Sequence, residues 1–256
     1  MVIKVSQLSK SYGRVRALDD VSIEVQAGEV LGLLGANGSG KTTLNRCLTT
    51  LLQPDSGTIV IDDVDVIANP ETARGSIGYL AEFPVLYPSL TAWEFLSFAA
   101  GLRGIPREQA DQRIERWLQL FELDQAKTRR LSGFSQGMKR KVALAAALID
   151  EPKAVLLDEP TNGLDPPSVY LFRQVISDLR SRGRAVLLSS HVLPLVQQSC
   201  DRVGILAGGR IVAAGSIEQL RVAADRPQAD LEDLFMHFAG LNQEMIERLA
   251  EAGLRR

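Results

Sequence analysis

The chain has 256 residues, enough for one large hydrophobic core with room for a second lobe. Hydrophobic residues make up 45% and charged residues 23%, a balance that excludes an intrinsically disordered or membrane-embedded protein. A net charge of −2 gives no overall attraction to polyanions, so no nucleic-acid partner is expected.

Cys47 and Cys200 are the only cysteines, far apart and without metal-ligand spacing, and read as two buried thiols in a reducing cytosol. The N-terminal stretch MVIKVSQLSKSYG lacks the apolar run of a secretion signal. The longest apolar run, VALAAALI at 142–149, falls well short of the ~20 residues that a membrane span needs.

In chain order, residues 2–8 (VIKVSQL), 18–34 (LDDVSIEVQAGEVLGLL) and 57–63 (GTIVIDD) have the pattern of β-strands. Between them a helix is predicted from Gly40-Lys41 to about Leu52, stopped by Pro54 and Gly57. IGYLA at 77–81 is a further short strand. From Thr91 to Ile149 the periodicity becomes helical, with Thr91-Ala92-Trp93-Glu94 as a capping box and Pro106 in the first turn of the next helix. Strands return at 154–158 (AVLLD), 185–190 (AVLLSS) and 202–207 (RVGILA), with Asp165-Pro166 starting a helix between the first two. This order predicts an α/β fold with a mostly parallel sheet and a helical insertion. DRPQAD at 225–230 reads as a linker, and the segment after it is weakly amphipathic.

The stretch Gly35-Ala36-Asn37-Gly38-Ser39-Gly40-Lys41-Thr42 follows an apolar strand and opens a helix. Glycines in such a loop let successive backbone N–H groups turn toward phosphate oxygens, and the helix N-terminus adds donors and partial positive charge. Lys41 can reach β- and γ-phosphates, and the Thr42 hydroxyl is placed to ligate Mg²⁺. A dinucleotide fingerprint is excluded, because Thr43 occupies the place of its third glycine. No Asn-Lys-x-Asp motif for guanine occurs, which argues against a GTPase.

In open α/β sheets ligands gather at the carboxyl ends of strands. Here the strand at 154–158 ends in Asp158-Glu159, the strand at 185–190 in His191 and the strand at 77–81 in Glu82. Asp158 suits a Mg²⁺ ligand, Glu159 a group that polarises attacking water, and His191 a sensor of the γ-phosphate. The bland alternatives are a solvated acidic turn and a structural histidine.

Ser135-Gln136-Gly137 marks a second helix start whose opening turn carries Lys139, Arg140 and Lys141. Cations at the positive end of a helix repel it by roughly 0.3–1 kcal/mol each. They make sense if a polyanion docks there, and the nearest candidate is the nucleotide of a second copy. Otherwise Ser135 is only a cap and the three cations face solvent.

Taken together these motifs resemble the ATP-binding subunits of ABC transporters over roughly residues 2–220. GANGSGKTT resembles their Walker A motif, VLLDEP their Walker B motif and TNGLDP their D-loop. FSQGM, His191 and Tyr12 stand at the signature, the switch histidine and the adenine-stacking aromatic. The resemblance implies a P-loop NTPase (RecA-like) core, an N-terminal antiparallel β subdomain and a helical subdomain at about 83–149. These would form one domain over 1–224, followed by a helical extension of unknown role at 225–256.

It also implies ATP hydrolysis with Mg²⁺. Gly35, Ala36, Asn37, Gly38, Ser39, Gly40, Lys41, Thr42 and Thr43 would hold nucleotide, and Thr42, Asp158 and Glu82 the metal. Glu159 would be the general base, with His191 and Lys41 also catalytic. Ser135, Gln136, Gly137 and Asp165 would face the ATP of a head-to-tail partner. The implied setting is the cytoplasmic face of a membrane, on a separate permease contacted through about Glu82–Leu90. From residue character alone, that apolar loop could equally pack inward. Two departures, FSQGM for the usual LSGGQ and Glu82 for the usual glutamine, look like the exporter branch. A soluble ABC-type switch without a permease is the alternative.

Overall fold

A computed structural model describes residues 2–241. Strands β1 (Ile3–Tyr12) and β2 (Val15–Val25) form a long hairpin, and β3 (Val30–Leu34) leads through the glycine loop into α1 (Lys41–Leu48). Strands β4 (Ser56–Ile61) and β5 (Val64–Asp65), helix α2 (Pro70–Gly75) and strand β6 (Ile77–Leu80) follow. Helices α3 (Ala92–Leu102), α4 (Arg107–Leu120) and α5 (Gln136–Leu148) form the insertion. Then come β7 (Ala154–Asp158), α6 (Pro166–Ser181), β8 (Ala185–Ser189), α7 (Leu193–Ser199), β9 (Arg202–Ala207), β10 (Arg210–Gly215), α8 (Ile217–Ala223) and α9 (Leu231–Phe238).

The strands make two sheets. One is antiparallel, in the order β2-β1-β4-β5. The other runs β10-β9-β3-β8-β7-β6, parallel from β9 to β6 with β10 antiparallel on its edge. The expected α/β class, with a parallel core, an antiparallel N-terminal sheet and a helical insertion, is what the chain adopts.

Alternation along buried strands explains the layering. Leu31, Leu33, Leu156 and Leu187 face the antiparallel sheet and α1, packing with Ile3, Val5, Ile59, Leu44 and Leu48. Val30, Val155, Leu157, Val186 and Leu188 face the other way and join Leu96, Ile114, Leu144 and Phe172 beneath the helices. A third cluster, with Val203, Ile205, Val196 and Leu220, also takes in Leu231 and Leu234 of α9. The 225–230 stretch therefore connects α8 to a helix packed on the same body, while residues 242–256 of the expected extension lie outside the described residues.

Helix α1 stops four residues before the expected Leu52. Thr50 adopts a left-handed φ of 62°, and the N–H groups of Leu51 and Leu52 fold back onto the Arg46 carbonyl at 2.9 and 3.0 Å. This backbone cap ends the helix before Pro54 is reached. The Thr91 capping box forms as expected, whereas Pro106 is the N-cap of α4 rather than part of its first turn. Among the described residues no helix is long and apolar enough to cross a membrane.

Candidate functional site

The ends of β3, β6, β7 and β8 open onto one cleft of about 350 Å³. Ala17, Ala36, Asn37, Gly38, Ser39, Gly40, Lys41, Thr42, Thr43, Glu82, Asp158, Glu159 and His191 line it. Four strand ends that stand apart in sequence thus meet at the carboxyl edge of the parallel sheet, the place where such sheets bind ligands. Ala17, on β2, is the one lining residue that the motifs did not mark, because its contribution is only its backbone position beside the loop. A second groove of about 380 Å³, between α4 and α6, shares no residue with this cleft.

The loop needs its glycines for space as well as for conformation. At Gly40 the backbone is left-handed, with φ 112°, and a Cβ would collide with the Ala17 carbonyl. At Gly35 a Cβ would lie 2.6 Å from the Leu206 carbonyl oxygen and would strike the Ser39 hydroxyl. Lys41 is buried and curls back over its own loop, donating from Nζ to the carbonyls of Gly35 (2.5 Å) and Ala36 (3.2 Å). Burial lowers its pKa, against the opposing pull of Glu159, Asp158 and Glu82. The buried Ser39 hydroxyl has no hydrogen-bond partner among the described residues. An unpartnered donor beside a buried amine is what a phosphate oxygen requires.

Asp158 is buried at the tip of β7, and burial raises its pKa, with the carboxylates of Glu82 and Glu159 adding to the effect. The Asn45 amide and Lys41 pull the other way. A divalent cation would relieve this repulsion, and the oxygens of Asp158, Thr42 and Glu82 are the hard donors that Mg²⁺ takes. Among the described residues no three acidic, imidazole or thiol groups come close enough to hold a metal by themselves. An ion here would need phosphate and water oxygens to fill its shell, as Mg²⁺ commonly does.

Glu159 is held on every side. Its φ is 46°, uncommon for a residue with a side chain. Its N–H donates to the Ser189 carbonyl at 2.8 Å. Its carboxylate takes Ser190 Oγ at 3.2 Å and lies 2.8 Å from His191 Nδ1.

Arg140 faces neither solvent nor a docking anion, unlike what its place in the first turn of α5 predicts. It is 7% exposed, and its guanidinium donates to the backbone carbonyls of Glu159 (2.6 Å) and Glu82 (2.5 Å). Lys141 reaches the Phe121 carbonyl at 3.4 Å, at the C-terminal end of α4, where a cation is favourable. Two of the three cations in the first turn of α5 therefore serve internal carbonyls and not a docked polyanion.

The helix end itself does face outward. Ser135 caps α5 by accepting from the Met138 N–H at 3.2 Å, and Ser135 and Gln136 are exposed. A Cβ on Gly137 would lie 3.5 Å from the Gly163 carbonyl, so this end sits against the loop that leads to Asp165. Asp165 caps α6 through the Ser168 N–H at 3.0 Å, and the Ser168 hydroxyl first, then its N–H, hold the Asp165 carboxyl below the usual range. None of Ser135, Gln136, Gly137 and Asp165 lines the cleft. Tyr12 is exposed at the end of β1 and does not line it either.

Comparison with known proteins gives the following. The family model described as ABC transporter matches residues 18–162. The ABC transporter ATP-binding protein NatA of Bacillus subtilis (strain 168) is 40% identical over 223 residues, covering 87% of this chain and 90% of NatA. The solved structure of an ATP binding subunit of an ABC transporter superposes with a TM-score of 0.89 at 33% identity, covering 93% of this chain and 99% of that one. CbiO1 from Clostridium perfringens, part of the ABC transporter complex cbiONQ, matches with a TM-score of 0.76 at 27% identity, covering 98% of both chains.

Proposed function

The chain belongs to the ABC transporter ATP-binding family, and from that premise we propose that it drives an exporter by ATP-dependent, head-to-tail pairing of two copies on a separate membrane permease. As a member of this family it is an ATPase that uses Mg²⁺.

In this reading Lys41, the Ser39 hydroxyl and the backbone N–H groups of residues 35–43 hold the triphosphate. Asp158 and Thr42, with Glu82 alongside, would hold Mg²⁺, which would supply charge neutralisation to the triphosphate. Glu159 accepts a proton from the attacking water, aimed by His191 and Ser190 at its two carboxylate oxygens. Tyr12, exposed at the end of β1, would stack on the base.

The observation that carries the pairing is the division of phosphate chemistry between two surfaces. The cleft holds the glycine loop and the carboxylates. A second capped helix end, Ser135–Gly137, stands beside the Asp165 loop outside it and exposed. A helix N-terminus is an anion site, and the first turn of this one carries no acidic side chain. Head-to-tail pairing would bring the ATP of the other copy to it.

The permease is supported by the 82–90 loop. Phe83 is 80% exposed and Val85 89%, with Tyr87 stacked edge-on to Phe98 at 5.7 Å beside them and Leu102 also exposed. Apolar side chains so placed on a loop mark a docking surface. CbiO1, a relative in fold and sequence, belongs to a transporter complex. The exporter assignment rests on FSQGM and Glu82, and the setting at the inner face of the membrane follows from the permease.

The test is purification of the tagged Glu159→Gln chain from its own membranes with MgATP present. The reading expects a multispanning membrane chain bound to it and a nucleotide-trapped dimer by light scattering. A free, monomeric ATP-bound chain would overturn it and favour a switch that acts without a permease.

A further inference from the structure

We infer that Arg140 is a positioning residue for hydrolysis, a strut that sets the aim of Glu159 and ties it to the segment at Glu82. The inference rests on the proposed role of Glu159 as base.

The geometry is specific. Arg140 projects from α5, the helix whose N-terminus is Ser135, yet its guanidinium lies under the end of β7. One nitrogen donates to the Glu159 carbonyl at 2.6 Å and the other to the Glu82 carbonyl at 2.5 Å. The two acceptors are 19 and 58 residues away in sequence and belong to two segments that both line the cleft. A planar fork with donors on separate nitrogens can span two such carbonyls at once, which a lysine ammonium, a point donor, does less well.

The Glu159 peptide has reason to need it. Residue 159 sits in the left-handed region, which persists only where the surroundings over-determine it. Its carbonyl also accepts the Asn162 N–H, at a long 3.3 Å, so Arg140 supplies the shorter of its two bonds. Without the guanidinium the peptide loses its main restraint on the carbonyl side, while His191 and Ser190 still pull on the carboxylate. Rotation toward an ordinary conformation would swing the carboxylate away from the γ-phosphate end of the cleft.

The consequence reaches further than one side chain. Through Arg140 the capped end of α5, the base after β7 and the apolar loop that begins at Glu82 share one rigid connection. A displacement of that loop is transmitted to the Glu159 backbone through a single charged group, without passing through the nucleotide.

The experiment compares Arg140→Ala, Arg140→Lys and Arg140→Gln in the full chain. Each is made alone and combined with Glu159→Gln, and nucleotide affinity and single-turnover hydrolysis of radiolabelled ATP are measured. We expect Arg140→Ala to bind MgATP within about threefold of the parent. Its kcat should fall on the order of 10²-fold, as for a reacting group misplaced by about an ångström. Added guanidinium at millimolar concentration should restore part of that kcat, and Arg140→Lys should recover little.

In the Glu159→Gln background the same Arg140 changes should lower the residual rate by less than about twofold, because the group being aimed is already gone. An equal loss in both backgrounds, or a fall confined to nucleotide affinity, overturns the strut. If Arg140→Ala does not fold, Arg140→Gln keeps one donor and carries the same comparison. If Glu159→Gln alone leaves hydrolysis unchanged, the base assignment fails on its own evidence, separately from the effect of Arg140.

Discussion

His191 Nδ1 stands 2.8 Å from Glu159 Oε1, across the gap between the ends of β8 and β7. The neighbouring hydroxyl of Ser190 donates to the other oxygen at 3.2 Å, so two consecutive residues fix both edges of one carboxylate. The two anchors differ in placement, since the His191 side chain is 64% exposed while Ser190 is fully buried. His191→Ala should lower kcat roughly 10- to 100-fold with a smaller change in nucleotide affinity, because the contact it loses is the one that orients the Glu159 carboxylate. Ser190→Ala should cost less in kcat and more in stability, since a buried hydroxyl is lost beside a charge. Single-turnover hydrolysis and a thermal melt of each variant measure the two effects.

Ser135→Arg tests the outward helix end. The site is exposed and accommodates the larger side chain, so ATP binding to one chain should be unchanged. Losing the bond to the Met138 N–H removes a cap worth about 0.5–2 kcal/mol. In the Glu159→Gln background, light scattering with MgATP should show a monomer where the parent forms a dimer. A dimer that persists would reject the assignment of Ser135 to the partner's nucleotide.

The two left-handed glycines of the loop should respond differently to alanine. At Gly38, φ is 80° and nothing stands near a new Cβ, so Gly38→Ala should cost only the conformational term, about 1–2 kcal/mol. At Gly40 the same strain is joined by collision with the Ala17 carbonyl and an approach of 3.0 Å to Leu18 Cδ2. Gly40→Ala should therefore lose more stability, and ATP affinity should drop by more than tenfold as the loop shifts off the phosphates. Chemical denaturation and nucleotide titration of both variants separate the two outcomes.

Both thiols should resist modification. Burial pushes Cys47 up to about 11 and raises Cys200 as well. At pH 8 the native protein should react slowly with a thiol reagent, and the unfolded chain at the ordinary rate for a thiol of pKa ≈ 8.5. The unfolded thiol loses its proton first as the pH rises. Stability should therefore begin to fall above the unfolded pKa and go on falling toward pH 11, with Cys47→Ser flattening that slope. Quench-flow labelling and urea melts at several pH values read these effects.

Much of the cleft was legible because strand ends and loop glycines carry local signals. The β7 strand, its acidic end and the Ser135 cap need no distant partner to be recognised. What stayed hidden depends on contacts between remote segments. Helical periodicity places Arg140 near the start of α5 but says nothing of the two carbonyls that draw it inward. The same holds for Lys141, whose partner is the end of α4. The early end of α1 leaves no mark in the sequence because a threonine, not a glycine, takes the left-handed position there.

Phe83 and Val85 leave a solitary copy of this chain in a costly state. Each large apolar side chain held in water forgoes about 1.5–3 kcal/mol that burial would return. Synthesis in excess over whatever covers them should therefore produce molecules that self-associate as their concentration rises. Cellular quality control, which reads exposed apolar surface, would see the surplus, and the abundance of the chain would then follow the supply of its cover and not its own rate of translation.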